Sequence, residues 1–136
     1  MSVDVGRNQL RASFAAHRDA SSAVKEGAPA ALLLFYGTEC GLKAAILDRL
    51  GLKSTSQLPE HLRSHDLKLL AKELRLPLQL CESMRSSTSQ KERREVAFKD
   101  LHQAWRYGQP LKKDHERQAL AVLRELLVWC QRELKA

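Results

Sequence analysis

A chain of 136 residues, 43% hydrophobic and 29% charged, has the size and balance of one globular domain with a real core. Four prolines and six glycines, against many Ala, Leu, Glu, Lys, Arg and Gln, favour an all-α fold. The net charge of +7 points to an anionic partner, while three scattered cysteines argue against a disulfide framework or a zinc site.

The N-terminus, Met1-Ser2-Val3-Asp4, lacks the charged start and apolar stretch of a signal peptide, so a cytoplasmic protein is expected. A first helix is expected over about Val5 to Glu26, with Leu10, Phe14, His17, Ser21 and Val24 along one stripe. Gly27 ends it, and Pro29 suits the first turn of the next helix. That helix, about Pro29 to Leu50, is apolar nearly all round, the mark of a central buried helix. Its longest apolar run, Ala28 to Tyr36, is too short to span a bilayer, so no membrane partner is expected. Gly37 and Gly41 lie one turn apart on it and suggest a closely approaching neighbour. Gly51 stops it.

A loop follows over Lys53 to Arg63, and Ser64 is an expected N-cap for a third helix from His65 to Arg75. Residues 82–90 are serine-rich, have no apolar period and read as a mobile loop. A fourth helix is expected over about Lys91 to Tyr107, and a last one from about Lys112 to Leu134. On the last, Val122, Leu126 and Trp129 widen the apolar stripe beyond one neighbour's needs, which core packing explains most simply and a partner surface would also explain. The expectation is a single domain, 1–136, built as an up-and-down bundle of about five helices. Cys40 and Cys130 fall in apolar helical patterns, where a thiol acts as a small hydrophobe.

The positive charge is densest from Arg85 to Arg117, through Lys91, Arg93, Arg94, Lys99, Arg106, Lys112 and Lys113. Glu92, Glu95, Asp100, Asp114 and Glu116 are interleaved, so solvated helix faces compete with a polyanion-binding surface as the explanation. Phosphate loops, nucleophile elbows, zinc-protease motifs and calcium loops are absent, and no cofactor or metal is expected. Chemistry would fall to scattered polar residues: Glu39, Lys43, His65, Asp66, His102, Arg106, Tyr107 and His115. Glu39 with Lys43 is the favourable order for an i,i+4 pair, and a Glu in so apolar a helix needs a partner, Lys43, His65 or Arg106. His65 and Asp66 have a plainer role as helix caps, and His17 and His102 read as packing or surface residues.

Three patches in order, Thr38-Glu39-Cys40-Gly41-Leu42-Lys43-Ala44-Ala45, Ser64-His65-Asp66-Leu67 and Arg106-Tyr107, resemble one branch of the HEPN domain family (higher eukaryotes and prokaryotes nucleotide-binding). The resemblance covers most of Ala30 to Leu134. It implies a small helical bundle that binds nucleotide or nucleic acid in a prokaryotic defence, toxin–antitoxin or nucleotidyltransferase-linked system, as a homodimer or beside a larger protein. Carried over, it implies ligand contacts at Glu39, Lys43, His65, Asp66, Arg106 and Tyr107, and the basic Lys112 and Lys113 extend them. The family's metal-independent ribonucleases pair an Arg with a His, with four to six residues between them. Here Arg106 and His115 have eight residues between them, and Arg11 with His17 has the spacing on the wrong helix. A ribonuclease is thus one alternative, and a structural adaptor docking on a larger effector is the other.

Overall fold

Pro29 and Gly51 bracket the helix around which the rest is built. Pro29 lacks the N–H that a first turn leaves unpaired, and Gly51 takes a left-handed φ of 66° that closes the C-terminus. The computed structural model describes residues 4–23 and 27–135. Among them are six α-helices: α1 (Arg7–Ala23), α2 (Ala28–Leu50), α3 (Leu67–Glu73), α4 (Leu78–Glu82), α5 (Leu101–Arg106) and α6 (Lys113–Leu134). Two strands, β1 (Ser87–Thr88) and β2 (Glu95–Val96), pair antiparallel between α4 and α5. The fold is an all-α bundle. Val24 and Glu26 of the expected first helix lie outside the described residues.

The long helices stack through small residues. A Cβ on Gly37 would stand 2.9 Å from His17 Cβ, and one on Gly41 would stand 2.8 Å from both Phe14 Cδ1 and Cys130 Sγ. Advancing along α2 from Gly37 to Gly41 therefore steps back along α1 from His17 to Phe14, so those two run antiparallel. Along α6 the step is forward, from Leu127 to Cys130. The glycine pair is where both neighbours cross α2. The core fills the space between, with Phe14, Phe35, Leu42, Ile46, Leu47, Leu123 and Leu126 fully buried.

By length and composition the whole of α2 could cross a membrane, although its uninterrupted apolar run is short. Within the bundle, 67% of its most apolar window is buried. The widened stripe of α6 goes the same way. Val122 and Leu126 are buried, and Trp129 packs partly against the core under the Arg49 guanidinium.

Two expectations are corrected, and one short helix is added to the expected set. Residues 82–90 are not a free loop, because Ser87 and Ser89 are buried and β1 is tied on both sides. Ser89 Oγ accepts the Arg94 N–H at 3.0 Å, and Thr88 exchanges backbone and ring contacts with the start of α6. The fourth helix does not begin at Lys91. The charged run 91–95 has no apolar face to bury, Arg93 adopts a left-handed φ of 51°, and the chain turns back into β2. The helix proper is only α5, led in by a 3-10 turn at Phe98–Asp100. Finally, α4 was not anticipated; Pro77 at its N-terminus starts it after α3 has ended.

Candidate functional site

Tyr36, Glu39, Cys40 and Lys43 of α2 recur at three and four residues and form one polar stripe, while Thr38, Asp48 and Arg49 lie on other faces of the helix. Such a stripe on a core helix calls for partners, and the neighbouring elements supply them. Lys43 Nζ donates to Glu39 Oε2 at 3.0 Å, and His65 Nδ1 meets Glu39 Oε1 at 2.6 Å. Both carboxylate oxygens are thus engaged, at a group whose side chain is 13% exposed.

His65 reaches Glu39 because of how α3 begins. Asp66 is the N-cap, its Oδ1 accepting the Leu69 N–H at 3.3 Å, and Ser64 Oγ accepts the Asp66 N–H at 3.2 Å. These bonds hold the backbone on either side of His65. Asp66 itself serves the helix rather than the stripe. On its other face His65 lies over His102 of α5, with ring centroids 5.0 Å apart. His102 continues to Phe35 at 4.9 Å and Tyr36 at 6.2 Å. One turn beyond His102, the Arg106 guanidinium donates to Tyr36 Oη and sits 5.7 Å from that ring's centre.

The three sequence patches therefore meet. Glu39 and His65 are 26 residues apart in the chain, and Tyr36 and Arg106 are 70 apart. Tyr107, 77% exposed, stands beside Arg106. Below His65 the stripe opens into a cleft of about 520 Å³. Its walls are apolar at Val5, Leu10 and Cys40, and polar at Asp4, Glu39, Lys43, Ser64 and His65. The outer rim is held by Asp4, whose Oδ1 accepts the Ser56 N–H, and by Arg63, which donates to the Leu58 and Ser56 carbonyls.

Not every expected residue joins. Lys112 and Lys113 are exposed at the start of α6, where the Lys112 N–H donates to the Thr88 carbonyl. They belong with the hairpin. His115 Nδ1 accepts the Thr88 N–H at 3.0 Å, while Arg106 is taken by Tyr36, so the two serve different partners. On α1, Arg11 donates to the Leu134 carbonyl and Asp48, whereas His17 bonds Ser13. Tyr36 escaped the sequence reading, whereas His102, named among the candidates and read as a packing or surface residue, is buried beside His65. Their positions were the available signal, since Tyr36 is three residues before Glu39 and His102 four before Arg106 on the same helix face.

Charge at the cluster is unevenly distributed. Burial pushes the Glu39 carboxyl up, but the His65 hydrogen bond and the Lys43 charge outweigh it and hold Glu39 below its ordinary value. The hydrogen bond to Glu39 raises His65 despite its partial burial. His102 is lowered, first by burial and then by the charge of His65. Its Nδ1 is buried and makes no aligned hydrogen bond; the Lys99 carbonyl opposes the shift only weakly. Neither helical thiol offers a ready nucleophile. Burial raises Cys40, and it pushes Cys130 up to about 12.

The signs define a pH window. Glu39 contributes stability above its unfolded value of 4.5 and loses it as pH falls through the depressed folded value. His65 contributes below its unfolded value of 6.5 and loses it as pH rises through the raised folded value. His102 acts oppositely, reducing stability as pH falls below 6.5. The test is the difference in urea midpoint between the natural chain and His65→Gln. That difference should be greatest between about pH 4.5 and 6.5 and shrink above it; a flat difference would remove the ionic part of the contact.

No protein-family model, curated protein or solved structure matches this chain.

Proposed function

We propose that this chain is a nucleotide- or nucleic-acid-binding subunit, HEPN-like, working in the cytoplasm beside a second copy or a larger protein of a defence, toxin–antitoxin or nucleotidyltransferase-linked system. One observation carries the binding reading: residues from three distant segments gather on one polar stripe of a core helix, and Glu39, Lys43 and His65 of that cluster line a cleft. A bundle needing only stability gains little from a carboxylate, a lysine and two histidines there. The chain's charge of +7, with Lys91, Arg93, Arg94, Lys112 and Lys113 exposed on and beside the hairpin, suits a polyanion approaching from outside. Arg106 and His115 serve separate partners, so binding is favoured over cleavage by that pair.

The experiment is a salt titration of binding to fluorescent single-stranded RNA and DNA. Phosphate contacts release counterions, so log affinity should fall linearly with log salt. Lys43→Ala and Arg106→Ala should each weaken binding across all sequences and lower that slope by about one. Salt-independent affinity, or none, would remove the proposal.

A further inference from the structure

The stripe on α2 carries a row of cations rather than a balanced set of ion pairs. Tyr36 to Lys43 spans about 10.5 Å of helix axis. Over that length stand Arg106, held by Tyr36, then His65 and Lys43, both held by Glu39. Three cationic groups thus face one carboxylate when His65 is protonated, an excess of two. Lys43 and Arg106 are both near enough to His65 to oppose its proton. Across the cleft, Asp4 and Arg63 offset each other, and both are bound to backbone.

His65 is the group with unspent capacity. Its Nδ1 is committed to Glu39, its side chain is 59% exposed, and Nε2 makes no hydrogen bond among the described residues. His102 beneath it is 6% exposed, and its ring, with centroids 5.0 Å apart, supports that of His65 from below.

We propose that His65, which lines the cleft with Lys43 and has Arg106 further along the same stripe on Tyr36, anchors a terminal phosphate monoester, carried by a free nucleotide or by the end of a strand. The inference rests on the nucleotide- or nucleic-acid-binding reading and narrows it. An excess of two positive charges matches a dianionic monoester better than a backbone diester, which carries one charge per nucleotide. A cleft of about 520 Å³ leaves room for the attached nucleoside against Val5, Leu10 and Cys40.

The test compares single strands of one sequence carrying a 5′-phosphate, a 3′-phosphate or only hydroxyl ends, with AMP and UMP as competitors. At about pH 6, one terminal phosphate should raise affinity about tenfold, the worth of a charge-assisted hydrogen bond. His65→Gln can keep a donor to Glu39 but cannot carry the charge, and it should abolish the preference. Raising the pH to about 8.5 should abolish it too, although the phosphate itself gains charge on the way. Competition by AMP or UMP would identify the source as a free nucleotide, and a preference they cannot displace would identify a strand end. Equal affinity for phosphorylated and hydroxyl ends would overturn this inference and leave the binding function standing. No affinity for any strand or nucleotide would overturn both.

Discussion

Phe35→Ala is expected to lower the unfolding free energy by about 3–5 kcal/mol, the usual cost of emptying a filled aromatic site. Phe35 is fully buried, and its ring lies 4.9 Å from His102 and 6.5 Å from Trp105. These contacts make it the back wall of the candidate site. His102 is held from behind by Phe35, and His65 rests on His102. The substitution should therefore cost ligand affinity even at temperatures where the chain stays folded. Urea unfolding followed by circular dichroism would give the stability change, read as a shifted midpoint at unchanged slope. Phe35→Leu retains most of the volume and should cost less than about 1.5 kcal/mol. If the alanine variant lost under about 1 kcal/mol, the cavity would have collapsed, and the site could not be as rigid as described.

Gly41→Val should cost about 3 kcal/mol through overpacking. The first atom added to Gly41 would already fall 2.8 Å from Phe14 Cδ1 and 2.9 Å from Cys130 Cβ. These are inner atoms of side chains on two different helices, so relief requires moving α1 or α6. Gly41→Ala should cost less, because alanine recovers about 1 kcal/mol of helix propensity. The diagnostic is the order of thermal midpoints: natural chain, then alanine, then valine. A valine variant as stable as the natural chain would mean that the helices do not meet at this glycine.

What could be read from residue order alone was what depends on neighbours in the chain. Glu39 and Lys43 are one turn apart, and the pair forms. The glycine spacing points to a close crossing, and a side chain at Gly37 or Gly41 would indeed fall within 3 Å of α1 or α6. The start of α3 was likewise visible, although Asp66 rather than Ser64 supplies the cap. The hairpin was not visible. Strands of two residues are too short for any alternation to register, and their pairing is set by hydrogen bonds to the start of α6. His102 was discounted for a similar reason. A histidine's meaning depends on what lies above and below its ring, and here those rings come from two other segments.

Local periodicity and composition thus settle that the chain is helical, that α2 is its buried axis, and that its surplus charge is positive. They do so because helix formation and burial respond to spacings of three or four residues. That Glu39 also takes His65, that His65 lies over His102, and that Arg106 closes on Tyr36 was decided only by the packing of α2 against the segments around α3 and α5. Those contacts join residues up to 70 positions apart, and no local pattern encodes which distant side chain meets which once the core has closed.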